Sequence, residues 1–81
     1  RLRPLTEAEV AAFLDRHLKS AGAQKPIFDP AAVAAVFQHS RGIPRLVQNI
    51  ALASALAAMA AGAKTIEQAT VQQAVVDLED L

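Results

Sequence analysis

The sequence predicts an all-α fold, a small four-helix bundle, and three observations carry that prediction. Four segments place apolar residues at helical spacing, and strand-like alternation is weak throughout. Proline, glycine and capping residues separate those segments where helices should begin and end. Nineteen alanines stand beside only three phenylalanines, with no tryptophan or tyrosine. Such thin side chains let helices approach closely, but the core they build is small, and a marginally stable bundle is expected.

The first helix opens at Leu5-Thr6-Glu7-Ala8-Glu9-Val10. Thr6 can cap, Glu9 three residues on can close a capping box, and Leu5 can staple onto Val10. Val10, Phe13, Leu14, His17, Leu18 and Ala21 then fall on one face, and Gly22 ends the run. Ala23-Gln24-Lys25-Pro26 is the clearest joint. The second helix repeats the grammar, with Phe28 as staple, Asp29 as N-cap, Pro30 in the first turn and Val33 as the stapling partner. Val33, Val36 and Phe37 are its expected buried stripe, and it runs to about Ser40. Gly42 punctuates that segment just beyond its end.

The third helix begins at Pro44, continues to about Ala61 and stops at Gly62. Leu46, Val47, Ile50, Ala53, Leu56, Ala57 and Ala60 cover more than one of its faces, which predicts a central helix. Two openings compete for the fourth. Thr65 with Gln68 is a capping-box pattern, whereas Ile66 with Val71 is a staple that would start the helix at about Glu67. Val71, Ala74, Val75 and Leu78 carry its apolar face.

Composition narrows the function classes. Eighty-one residues make one small domain, of a size that buries about 60% of its unfolded surface. Eight basic and eight acidic residues cancel, whereas a domain built chiefly to grip nucleic acid is usually more basic. The absence of cysteine rules out a disulfide framework and a thiolate zinc site, and it fits a reducing cytoplasm. The chain opens on Arg1 rather than Met and is read as a piece of a longer protein, with no secretory signal pattern. Leu46 to Ala63 comes near the roughly 18 apolar residues that raise the question of a membrane span. Gln48, Asn49 and Ser54 interrupt that stretch, so a buried bundle helix is expected, with no membrane insertion.

Ser40-Arg41-Gly42-Ile43-Pro44-Arg45 is the most informative segment. Pro44 suits a first helical position, because its missing N–H and fixed φ cost nothing there. Arg45 follows, beside a helix end that carries roughly half a positive charge. A cation there is unfavourable by about 0.3–1 kcal/mol. A local rule broken without evident gain marks a candidate functional site. A bound anion would supply the gain; the alternative is a surface arginine paired with an acid on another helix. Guanidinium matches phosphate oxygens bidentately and stays charged, and such a cation can stabilise charge during phosphoryl transfer.

Other chemistry finds poor raw material. His17 and His39 lack the spacing of helical metal ligands; the first reads as a packed core histidine and the second as a cation suited to a helix C-terminus. Ser20, Ser40 and Ser54 show no nucleophile constellation. Asp77, Glu79 and Asp80 read as a solvated tail. No Gly-x-x-x-x-Gly-Lys-Ser/Thr phosphate loop occurs, so the chain is not expected to hydrolyse a nucleotide alone.

Four stretches carry a resemblance that covers essentially the whole chain. Arg1-Leu2-Arg3-Pro4-Leu5-Thr6-Glu7-Ala8-Glu9 looks like the linker from a core strand into the first helix of an AAA+ ATPase lid. Ile27-Phe28-Asp29-Pro30-Ala31-Ala32-Val33 is similar to the opening of the second lid helix. Ser40 to Arg45 looks like the sensor 2 motif heading the third, and Thr65-Ile66 through Ala74 resembles the start of the last. The lids in question are those of general-secretion-pathway A ATPases and of related ATPases encoded beside transposases. The resemblance implies a linker at residues 1–5 and a lid at 6–81. It implies that Arg45, as catalytic and cofactor-binding residue, approaches the γ-phosphate of ATP, with Mg bound by a core absent from this sequence. Ile43 and Pro44 would line the adenine and ribose side of the cleft, and Gly42 would let the backbone come close. Implied partners are the lid's own core, neighbouring subunits of a homo-oligomer and, through the full-length protein, DNA or a transposase. Gln48-Asn49 leans toward the transposition type. The runner-up reading is a helical DNA-contacting or protein-interaction adaptor, with Arg41, Arg45 and Lys64 as a basic patch.

Overall fold

The Thr6–Glu9 capping box forms as the sequence predicts: the Glu9 amide donates to Thr6 Oγ1 at 3.2 Å and the Thr6 amide to Glu9 Oε1 at 2.9 Å. The structure, a computed structural model, describes residues 3–21 and 27–79, apart from the side chains of residues 17–21. The helical stop at Gly22, the joint at 23–26, Asp80 and the inward placement of His17, Leu18 and Ala21 lie outside the described residues. Four helices follow in order: α1 Glu7–Ala21, α2 Pro30–Ser40, α3 Pro44–Ala60 and α4 Gln68–Glu79. The all-α bundle is therefore what the chain forms.

Local chemistry sets the helix ends. Asp29 caps α2 by accepting from the Ala32 amide at 2.7 Å, with Pro30 as the first helical residue. The competition at α4 goes to the staple. Ile66 and Val71 are both fully buried, flanking Glu67, whose carbonyl accepts from the Val71 amide at 3.2 Å. Gly62, at φ 70°, ends α3. Its amide reaches the Met59 carbonyl at 3.1 Å and that of Ala63 reaches Ala58 at 2.9 Å, the paired bonds of a Schellman stop.

A short parallel pair, β1 Ile27–Phe28 with β2 Thr65–Ile66, was not expected from the sequence. Its cause lies in the staples. Phe28 and Ile66 both enter the core just before their helices, which brings the two backbones side by side. The Ile27 amide then donates to the Lys64 carbonyl and the Asp29 amide to Ile66, both at 3.1 Å.

Two expectations about packing are corrected. The fully buried stripe of α2 is Ala32, Ala35 and Val36, while Val33 and Phe37 are only half-buried against the core. The central helix is α2, which packs against all three others; α3 packs against α2 and α4 alone among its strong helix neighbours. Residues that expose almost no side chain let neighbours approach α2 from several sides. On α3 the buried stripe is Val47, Ile50, Ala51, Ser54 and Ala58. Leu46, Leu56, Ala57 and Ala60 are exposed, and so are Leu52 and Met59. Ser54 is tolerated inside because its hydroxyl donates to the Ile50 carbonyl at 2.7 Å.

The α2–α3 junction holds the tightest turn. α2 ends at Ser40, as the sequence predicts, and Arg41 caps it in the left-handed region, with φ 56° and ψ 26°. Gly42 follows at φ 76°. Buried Ser40 pins the turn by accepting from the Gly42 amide at 3.1 Å, and its carbonyl accepts from Ile43 at 3.0 Å. A Cβ on Gly42 would run into the Leu5 carbonyl oxygen and lie 2.9 Å from the Leu5 nitrogen. The Leu5 amide donates to the Gly42 carbonyl at 2.7 Å, so the segment before α1 is fastened to the turn before α3.

Gly42→Ala should therefore cost at least about 2 kcal/mol, from positive φ and from backbone collision together. Arg41→Gly, at an exposed positive φ, should instead gain up to about 1 kcal/mol. Chemical denaturation of the two variants beside the wild type measures both, and equal stability for Gly42→Ala would contradict the packing.

Candidate functional site

The head of α3 is electrostatically undressed. Ile43 occupies the N-cap with φ −72° and ψ 117°, makes no side-chain cap, and is followed by no acid in the first turn. Pro44 removes one amide, and Arg45 brings a cation to the end that repels it. The Arg45 side chain is exposed, and among the described residues neither it nor Arg41 makes a side-chain hydrogen bond or an ion pair. The pairing with an internal carboxylate, open on sequence grounds, is absent among those residues.

Arg45 opens onto a concavity of about 530 Å³ lined by Arg3, Pro4, Phe13, Ile43, Pro44, Arg45 and Gln48. That volume suits part of a small organic ligand. The structure thus brings together Ile43, Pro44 and Arg45, three of the four residues singled out in the sequence. Gly42 is separate: it is buried and abuts Leu5 instead of lining the concavity. The backbone it allows to come close is that of the preceding segment.

Arg3, Pro4, Phe13 and Gln48 were not foreseen as walls. Arg3 and Pro4 arrive because the Leu5–Gly42 bond lays residues 3–5 alongside the α3 turn. Only the closeness of the linker to the lid, implied by the resemblance, could have hinted at this. Arg3 donates from Nη1 to Glu9 Oε1 at 3.0 Å and from Nη2 to Oε2 at 2.9 Å. That fork, and next the bond from the Thr6 amide, lowers the Glu9 carboxyl to about 2. Glu9 in turn raises the Arg3 guanidinium above its ordinary value through the same bond.

The basic patch of the adaptor reading does not assemble. Arg41 and Arg45 lie at the start of α3 and Lys64 beyond its end, and a helix of 17 residues separates them by roughly 25 Å. His39 is exposed in the last turn of α2, and Ser40 and Ser54 are buried with their hydroxyls bonded locally. Asp77 accepts from Gln73 at 3.0 Å on the exposed side of α4. No helix among the described residues is long and apolar enough to cross a membrane.

Over 65 residues, 80% of its length, the chain is 38% identical to general secretion pathway protein A of Aeromonas hydrophila. It spans 12% of that relative's length. No protein-family model matches the chain, and no solved structure does.

Two measurements test the electrostatics. Arg45→Glu should stabilise the chain by about 0.3–1 kcal/mol at low salt, with the gain shrinking as salt rises. Loss of stability at low salt would mean that Arg45 has a compensating partner. The Glu9 carboxyl should titrate near 2 by carboxyl-carbon shift, and in Arg3→Ala the midpoint should rise toward the ordinary glutamate range. Because the folded value is depressed, the contribution of the Arg3–Glu9 fork is present above the unfolded glutamate pKa. It is lost as pH falls toward about 2.

Proposed function

We propose that this chain is the nucleotide-sensing lid of an AAA+ ATPase of the general-secretion type, and that Arg45 is its sensor 2 arginine. One observation carries the reading: an exposed guanidinium without a partner among the described residues, at an uncapped helix N-terminus, opens onto a concavity with apolar walls. The likeness to general secretion pathway protein A supports the secretion type. Of Gln48-Asn49, the pair that leans toward the transposition type, Gln48 lines the concavity and has a place there on local grounds.

The residues present fit a nucleotide. Arg45 offers a forked, permanently charged donor to phosphate oxygens. Pro44 and Ile43 are half-buried and exposed apolar surfaces suited to the ribose and base side. ATP, with its magnesium held by a separate catalytic core, supplies the phosphoryl group. Arg45 neutralises charge on the transferring phosphate, and the open side of the concavity leaves room for that core. Gly42 acts indirectly, by joining the segment before α1 to the sensor turn through Leu5. Movement of that segment relative to the core then moves the sensor turn with it, which couples the state of the nucleotide to the position of the lid. Core and neighbouring subunits are the partners of this reading.

Arg45→Ala in the ATP-hydrolysing protein that carries this segment should slow turnover at least about tenfold, roughly 1.4 kcal/mol of barrier, or abolish ATP-dependent assembly. Circular dichroism of the 81-residue chain should show the variant as helical as the wild type. Wild-type turnover together with wild-type assembly would exclude Arg45 as the sensor.

A further inference from the structure

Two arginines share one concavity, and their electrostatic states differ. Arg45 has no ion pair among the described residues, whereas Arg3 has both terminal nitrogens engaged by the Glu9 carboxylate at 3.0 and 2.9 Å. A weaker bond joins Arg3 Nη1 to the Pro4 carbonyl at 3.4 Å. The Arg3–Glu9 unit is net neutral, and three of the five N–H donors of its guanidinium are engaged. With its charge answered by Glu9, Arg3 is a poor phosphate binder, and its exposed flat face suits an aromatic ring. The neighbours Pro4 and Phe13 are apolar, which suits an uncharged ring.

We propose that this asymmetry sets the polarity of a bound nucleotide: Arg45 takes the phosphate end and Arg3, neutralised by Glu9, lies against the base. This deepens the sensor reading and rests on it for the phosphate half. Glu9 does not line the concavity; it acts through Arg3 and is a positioning residue. Its second bond, from the Thr6 amide at 2.9 Å, ties Arg3 to the capping box of α1. The first turn of α1 therefore fixes where the base-side wall stands. An exposed ion pair of this kind adds little stability, so its effect belongs in ligand selection.

The test uses the 81-residue chain with two probes, adenosine and inorganic triphosphate, each followed by amide chemical shifts at millimolar concentration. In the wild type, adenosine should shift amides around Arg3 and Phe13, and triphosphate those around Arg45. Arg3→Ala should weaken adenosine about threefold and leave triphosphate unchanged. Glu9→Gln is the sharper variant, because glutamine can still close a capping box while Arg3 becomes a free cation. Adenosine binding should weaken and triphosphate binding should strengthen, opposite changes that a folding defect could not produce. Absence of adenosine shifts at Arg3 in the wild type, or the same adenosine affinity in Arg3→Ala, overturns the assignment of the base end. Triphosphate binding unaltered by Arg45→Ala overturns the phosphate half and the sensor reading with it, while the adenosine result stands by itself.

Discussion

The contact between Gly42 and Leu5 is the constraint on which the site depends. Two backbones meet where any side chain would collide, and the hydrogen bond of 2.7 Å across them is possible only because position 42 carries a hydrogen in place of a Cβ. The turn must also pass through two consecutive residues at positive φ, Arg41 and Gly42. Buried Ser40 holds that conformation by binding the Gly42 amide. From this junction come the direction of α3, the position of Arg45 at its head and the placement of Arg3 and Pro4 as the opposite wall. The concavity is the space left between these two fastened segments.

Electrostatics then divides that space. At α3 nothing in the chain's own first turn answers the helix dipole, while at α1 the capping acid does two jobs. Glu9 satisfies the Thr6 amide and neutralises Arg3, and its low pKa is the signature of both. The outward face of α3 continues the line of Arg45 through Leu52, Leu56 and Met59, at steps of seven, eleven and fourteen residues. No charged residue occurs between Arg45 and Lys64. A helix that turns apolar residues outward beside its own buried stripe explains why the sequence pattern suggested a central element.

That misreading has a simple physical source. A helix with leucine and alanine all round is normally buried, and periodicity alone cannot say which of several apolar stripes meets the core. The choice fell to the stripe Val47-Ile50-Ala51-Ser54-Ala58, which includes a serine whose hydroxyl is satisfied within the helix. Similarly, Ala32 and Ala35 outrank Val33 and Phe37 in burial because α2 is hemmed in by three helices and the tightest contacts require small side chains. The β1–β2 pair was also beyond reach, since it depends on two staples, Phe28 and Ile66, far apart in sequence and entering the same core.

Helix positions, their caps and the anomaly of Arg45 were all written in the sequence, because each is decided by neighbours within about four residues. The Thr6–Glu9 box, the Asp29 cap, the Ile66–Val71 staple and the Gly62 stop are local bargains between side chains and unpaired amides or carbonyls. Which stripe of α3 is buried, the place of Arg3 and Pro4 in the site and the true neighbour of Gly42 were decided only in three dimensions. Each requires segments far apart along the chain to meet, and no local pattern encodes the position of a partner that arrives from elsewhere.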